Sequence, residues 1–366
     1  MNQTPPYSGA PFATIDLTAL QHNVQQIRRW APHSRMMAMV KAQAYGHGLL
    51  PIAKALAPAV ECLGVARLEE AYQCRAAGIT TPITIFNSGS TAAEMAWIAE
   101  HHCELVLHSQ EQLSALAGAK VTHPIRVWLK IDTGLHRLGI TEQQAAFVYQ
   151  KLLSCRQVQQ PIGLLSHFSC ADESASTRTQ QQMARFDRLT QGWQGPHSLA
   201  ASAAIVQWPQ THREWIRPGL ILYGISPLPG VLAADLGLKP VMTLKSRLLA
   251  VREHLANAPV GYGAHWRSLR DTQLGVVALG YGDGYPRDAP SGTLLLVNGR
   301  LVPLVGRVSM DLLTVDLDPT ACEQSGAEVI AWGPELPVET VAQSMGMSAY
   351  ELVTRLPNRM IRHYAG

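Results

Sequence analysis

The sequence contains no CxxC pair, no GxGxxG turn and no apolar run long enough to span a bilayer. Each absence removes a class of reading. Six cysteines (Cys62, Cys74, Cys103, Cys155, Cys170 and Cys322) are scattered without metal-ligand spacing. No zinc centre is expected, and the thiols read as reduced, most of them small buried hydrophobes. Without GxGxxG, the dinucleotide-binding doubly wound sheet lacks its fingerprint. Charge of one sign is scarce: 30 basic residues against 27 acidic ones leave a formal net charge of +3. No Lys/Arg block or basic–aromatic interleaving marks a nucleic-acid surface. The opening stretch, MNQTPPYSGAPF, holds neither a basic n-region nor an apolar h-region. The expectation is a cytoplasmic protein with no membrane and no nucleic-acid partner.

Core material is plentiful, at 47% hydrophobic residues over 366 positions, enough for one large domain or two ordinary ones. The chain is organised around Met36–Gly48, MMAMVKAQAYGHG. An apolar run ends in Lys41 and passes into small residues and glycines, the pattern of a buried strand and a turn. Parallel-sheet enzymes hold their chemistry at the C-terminal ends of strands. Desolvation lowers the pKa of a lysine there and lets its amine form a Schiff base with a carbonyl cofactor. For the lysine alone, the alternative is a strand-end side chain in water.

Strand and helix patterns then alternate. A short strand at Ala13–Leu17 and a helix at Thr18–Trp30 come first. Eight strand candidates follow: Arg35–Lys41, Cys62–Arg67, Pro82–Asn87, Cys103–His108, Ile125–Asp132, Ile162–Ser169, Ser198–Ser202 and about Glu214–Arg217. Helical patterns separate most of them, from Leu49–Ala57 to Thr177–Trp193. This alternation predicts an α/β fold with a (β/α)8 TIM-like barrel. After Pro227 strand patterns dominate: Val241–Val251, Gln273–Leu279, Thr293–Val297, Leu301–Val305 and Asp311–Leu317. Asn298-Gly299 between two apolar runs predicts a tight hairpin with positive φ at both residues. A helix is expected at Val338–Leu356. The division is a barrel over 1–235 and a mostly β C-terminal domain over 236–366, with the first strand, about 11–17, able to pack on the second domain.

Polar groups gather where the barrel strands end. Leu129–Gly139, LKIDTGLHRLG, brings Lys130, Asp132 and Arg137 together; arginine there suits a carboxylate or phenolate, or sits in a solvated loop. His167 ends the sixth strand, where a structural role is commoner. Ser202 and the Gly219–Leu220 turn follow strands seven and eight, where barrels often bind phosphate. Arg217 ends the eighth strand. In the β domain, Gly261–Gly263 places Tyr262 between glycines, which alone reads as a hairpin-tip tyrosine.

These stretches, read in order, resemble the alanine racemase family over nearly the whole chain. The pieces that carry the resemblance are VKAQAYGHG, KIDTGLHRLG, SHFSCAD (Ser166–Asp172), RPGLILYG, GYG, GYGDGYPR and VGRVSMD (Val305–Asp311). The resemblance implies a pyridoxal 5'-phosphate enzyme that interconverts L- and D-alanine for peptidoglycan, and a homodimer whose sites are completed by the partner's β domain. It makes Lys41 the cofactor-bearing lysine and one catalytic base, with Tyr262 of the partner subunit as the other. Two bases on opposite faces of a planar carbanion act on either enantiomer. His167 and Arg217 become candidates to assist Tyr262, with Arg287 a weaker one. Arg217 also matches the arginine facing the cofactor's ring nitrogen. Arg137 matches the arginine near the phenolic oxygen and substrate carboxylate, and Met310 of the partner subunit offers a backbone N–H to that carboxylate. Tyr45, Ser202, Gly219 and Leu220 match phosphate positions, and Lys130 falls where some members carry a carbamylated lysine. Gln43, Ala201 and Ser309 depart from common family residues, and a C-terminal phosphate-contacting tyrosine aligns with Asn358. Rival readings are a racemase of serine or of broader specificity, a decarboxylase using the same cofactor, and a non-catalytic carrier of it.

Overall fold

The protein's structure, a computed structural model, describes residues 10–366. Most of the N-terminal stretch read for a leader, residues 1–9, lies outside the described residues.

Eight parallel strands close the barrel: β2 (Arg35–Met39), β3 (Cys62–Val65), β4 (Ile83–Ile85), β5 (Cys103–Leu107), β6 (Ile125–Lys130), β7 (Val158–Leu165), β8 (His197–Ala201) and β9 (Trp215–Arg217). They follow β1 (Phe12–Asp16) in the chain. The barrel is filled rather than hollow. Met37, Cys62, Val106, Trp128, Leu165 and Trp215 form one cluster. Buried Glu104 accepts hydrogen bonds from Thr84 Oγ1 and Trp128 Nε1, both at 2.8 Å, so the polar atoms among these apolar layers are paired. The helices begin where side chains satisfy free N–H groups. Asp16 accepts from Ala19 N at 2.8 Å to start Leu17–Trp30, which buries Leu20, Val24 and Ile27. Thr91 and Glu94 cap Ala92–Glu100 reciprocally.

The second unit contains β10 (Met242–His254), a small hairpin of β11 (Pro259–Val260) and β12 (Trp266–Arg267), then β13 (Thr272–Val277), β14 (Leu294–Val297), β15 (Arg300–Val305), β16 (Leu313–Asp316), β17 (Glu328–Trp332) and β18 (Ile361–Ala365). The sheet order is β13-β16-β15-β14-β17-β10-β1-β18, and β10 also pairs β13. Strand β1 runs antiparallel to β10 and parallel to β18, so the first strand is built into the second domain's sheet. The Asn298-Gly299 turn forms as expected: Val297 pairs with Arg300, and φ is 48° at Asn298 and 79° at Gly299.

Three expectations are corrected. Val338–Leu356 is two helices, Val338–Ser344 and Ala349–Thr354, because the chain turns at Gly346 with φ of +64°. The β domain has four strands beyond the expected runs, β11, β12, β17 and β18; β18 (IRHYA) is mostly exposed and shows no apolar alternation. Ser202 opens the helix Ser202–Gln207 rather than closing a strand.

Candidate active site

Strand β2 ends at Met39, and the chain after Lys41 turns in an unusual way. Ala42, Gln43, Ala44 and Tyr45 all take left-handed backbone, with φ from 51° to 55°. Left-handed backbone is unfavourable for residues with a Cβ. It is held by Ala44 N donating to Val40 O (2.9 Å), Gly48 N to Gln43 O (2.7 Å) and Ala42 N to Glu70 Oε1 (2.7 Å). The other Glu70 oxygen accepts from Ala66 N at 2.8 Å and Arg67 N at 3.0 Å, at the start of the helix Leu68–Ala76. One carboxylate thus ties the lysine turn to the next strand–helix junction.

Lys41 opens onto a cavity of about 550 Å³ that is also lined by Tyr45, Lys130, Arg137, His167, Ser202, Arg217 and Gly219. The side chain is accessible from the cavity, yet protein surrounds it closely enough that desolvation, then the Arg137 charge, lowers its pKa. Arg217 is buried and pinned. One terminal nitrogen donates to Ser198 O (2.7 Å) and Ser198 Oγ (2.8 Å), the other to Ser166 O (2.7 Å) and Leu199 O (3.2 Å). His167 Nδ1 lies 3.4 Å from the second. Among the described residues Arg217 Nε has no hydrogen-bond partner, which leaves it for a ligand. Burial lowers the Arg217 pKa to about 10, so it remains a cation at neutral pH. Burial, then the Arg217 charge, pushes His167 down to about 3 and keeps it neutral. Lys130, buried beside Arg217 and Arg137, is lowered to about 8, first by desolvation. Arg137 stands on a loop shaped by Asp132, whose Oδ1 accepts from the N–H groups of Gly134, Leu135 and His136 at 2.9, 3.2 and 3.1 Å.

A second corner of the cavity is built for an anion. Ser202 Oγ accepts from Gly219 N at 3.0 Å. The Tyr45 ring stacks on Tyr223 at 5.0 Å and meets Tyr350 at 6.0 Å. Tyr223 is anchored by donating to Met39 O at 2.9 Å. A Cβ on Gly219 would stand 2.5 Å from Tyr45 Oη, so only glycine leaves the corner open. Tyr350 lines the cavity and was missed from sequence, where the C-terminal tyrosine was aligned instead with Asn358. Burial raises its pKa to about 12, so it donates as a phenol. Its position follows from the helix break before Ala349, where a single helix over Val338–Leu356 was expected. Leu220 is buried and its side chain does not line the cavity.

Tyr262 and Met310 are not brought to this cavity. Both lie on the β domain, 70% and 55% exposed, so any role at a site requires another surface facing them. Lys41, Lys130, Arg137 and Arg217 face the cavity, against one lining carboxylate, Asp172. Such a pocket favours a small ligand carrying several negative charges.

A closed parallel barrel with a lysine-bearing cationic pocket at its mouth, joined to a β domain, defines a class of barrel proteins built to hold a small anionic ligand beside a reactive lysine. The chain belongs to the alanine racemase family, a family of amino-acid-racemising isomerases. Residues 15–227 match the alanine racemase N-terminal domain and residues 241–364 the C-terminal domain. An alanine racemase of Edwardsiella ictaluri is 55% identical over 98% of this chain and 99% of its own. One of Yersinia pestis bv. Antiqua is 53% identical over 98% and 99%. The crystal structure of biosynthetic alanine racemase from Pseudomonas aeruginosa superposes with a TM-score of 0.93 at 40% identity, covering 98% of this chain and 99% of that one.

Proposed function

We propose that the protein interconverts L- and D-alanine, supplying D-alanine for peptidoglycan, with pyridoxal 5'-phosphate in the Lys41 cavity. The observation that carries this reading is the convergence of Lys41, Arg137 and Arg217 on one cavity beside a glycine-bounded anion corner. The residues fit the cofactor: Ser202, the Gly219–Leu220 backbone, Tyr45 and Tyr350 would hold a phosphate, Arg217 Nε a ring nitrogen and Arg137 the phenolic oxygen. When bound, the cofactor supplies the electron sink that makes the alanine α-proton removable.

The chain's own residues do the rest. Lys41, with its pKa lowered, is the base on one face, and Tyr262 of the partner subunit is the base on the other. Placing one base on each face allows removal from one side and return to the other. Arg217, still protonated at neutral pH, would hold the ring nitrogen without yielding its proton, which would weaken the sink and disfavour transamination. Arg137 and the partner's Met310 N–H orient the substrate carboxylate. The exposed positions of Tyr262 and Met310 support a homodimer with shared sites. Lys130 has a neutral fraction near pH 7 that can react with carbon dioxide, and the resulting carbamate would brace Arg137. We divide the domains between residues 235 and 236, in the stretch that separates β9 from β10. No helix of the described residues is long and apolar enough to cross a membrane; free cysteines, six among the described residues, support a cytoplasmic setting.

The test is Lys41→Ala. It should abolish the absorption band of the lysine-bound cofactor and its trapping by borohydride. A retained, borohydride-trapped band would refute the assignment.

A further inference from the structure

The last ten residues or so reach two different parts of the machinery. Arg362, on β18, donates through Nε to Gly46 O at 2.8 Å, inside the turn that follows Lys41. Its terminal nitrogens are fixed by Met360 O at 2.9 Å and Leu356 O at 3.1 Å. Two residues on, Tyr364 donates to His47 O at 3.0 Å. The packing leaves no slack: a Cβ on Gly48 would collide with Tyr364 Oη, and one on Gly46 with Val353 O.

Three residues before Arg362, Arg359 holds other loops. Its Nε donates to Asp283 Oδ1 at 2.8 Å, and Nη2 pairs with Asp283 and Asp311 at 2.6 Å each. Asp283 is buried, and its other oxygen accepts from Gly280 N at 2.9 Å. Asp311 follows Met310 directly. The two loops are also laced together: Gly282 N donates to Met310 O (2.8 Å) and Tyr281 N to Ser309 O (3.0 Å). A Cβ on Gly282 would stand 3.1 Å from Arg359 Nη1. Exposed ion pairs contribute little singly, but here one guanidinium joins a buried carboxylate to the loop that carries Met310.

We propose that this C-terminal segment is a two-way positioning element. Arg362 and Tyr364 hold the Lys41 turn of the same chain, and Arg359 holds the Met310 loop that the chain lends to its partner's site. The second half rests on the shared-site reading above.

Hybrid dimers with two affinity tags separate the roles. The control pairs a Lys41→Ala chain with a Tyr262→Phe chain, which under shared sites retains one intact site. An inactive control overturns the shared-site reading itself. With the control active, Arg359→Gln on the Lys41→Ala chain should raise the alanine KM of the surviving site about tenfold, since misplacement by an ångström costs up to about a hundredfold. Its cofactor absorption should not change. The same substitution on the chain with intact Lys41 should leave the surviving site at the parent value.

Arg362→Gln should show the opposite dependence. In the homodimer it should also weaken cofactor binding about tenfold and shift the pH titration of the cofactor absorption band. Tyr364→Phe, which removes only the bond to His47 O, is the second variant if Arg362→Gln does not fold. Lysine at 359 or 362 should recover part of each loss. An Arg359 effect that follows the Lys41-bearing chain, equal effects in both placements, or no effect would overturn the proposal.

Discussion

Replacing Glu70 isolates what holds the left-handed turn after Lys41. Left-handed helical backbone costs roughly 1–2 kcal/mol per non-glycine residue. Four such residues, Ala42 to Tyr45, therefore cost on the order of 4–8 kcal/mol against a right-handed alternative. Glu70 answers part of this by accepting from Ala42 N at 2.7 Å. Hydrogen bonds to a charged group contribute about 1.5–3 kcal/mol, and solvent access places this one near the lower end. Its other two bonds, to Ala66 and Arg67, secure the next helix instead. In Glu70→Gln one oxygen still accepts, but the amide nitrogen can only donate, so either Ala42 N or the Ala66–Arg67 pair loses its acceptor. About 1.4 kcal/mol is a factor of ten. The variant should therefore bind the cofactor about tenfold more weakly and lose about tenfold in kcat/KM. The Glu70 charge also raises the Lys41 pKa. Without it the pKa of the free Lys41 amine falls further, the amine is deprotonated at lower pH once substrate has released it from the cofactor, and the acid limb of the kcat profile moves down. Absorbance titration and a pH series of racemisation rates read both effects. Cofactor affinity and kcat/KM within twofold of the parent, with the acid limb unmoved, would refute the reasoning.

Tyr262→Phe should leave cofactor binding intact and slow proton removal from L-alanine far more than from D-alanine; isotope exchange from each enantiomer checks this, and equal losses would contradict the two-base division. Arg217→Glu places a carboxyl near Ser198 O and Ser166 O, two acceptors that lose their Arg217 donors and favour a group that can donate. It should be held protonated there, allow a protonated ring nitrogen and raise transamination relative to racemisation, measured as pyruvate per turnover. An unchanged ratio would count against the role given to Arg217. Gly219→Ala should weaken cofactor binding by more than tenfold, because its Cβ displaces Tyr45 from between Tyr223 and Tyr350. Unchanged affinity would show that the anion corner lies elsewhere.

The barrel was legible because its strands are short apolar runs separated by amphipathic helices, and because lysine, arginine and serine stand where those runs end. Trp128 and Trp215, filling the interior, belong to strands whose apolar residues are interrupted only by Arg126 and by the closing Lys130 and Arg217, close to the near-continuous apolar runs of buried parallel strands. Three features were not legible for physical reasons. The left-handed turn falls on Ala-Gln-Ala-Tyr, residues with no preference for that backbone; Glu70 and the C-terminal strand impose it from a distance. Tyr350 stands on a short helix whose direction depends on the break at Gly346, and a single helix through that break aims a different face at the cavity. Strand β18 is exposed and polar, and it forms because β1 offers it an edge, a tertiary cause without a local pattern. Tyr262 and Met310 are the reverse case. Their sequence signals are strong, yet within one chain they stand at a surface; the proposed shared site gives them a role only in a second copy.

The most direct test of the account is proton NMR of L-alanine in heavy water with purified protein and pyridoxal 5'-phosphate, read beside a chiral assay and a serine control. Loss of the α-proton signal together with the appearance of D-alanine is the predicted result. No exchange with alanine, despite a lysine-bound cofactor, would contradict it.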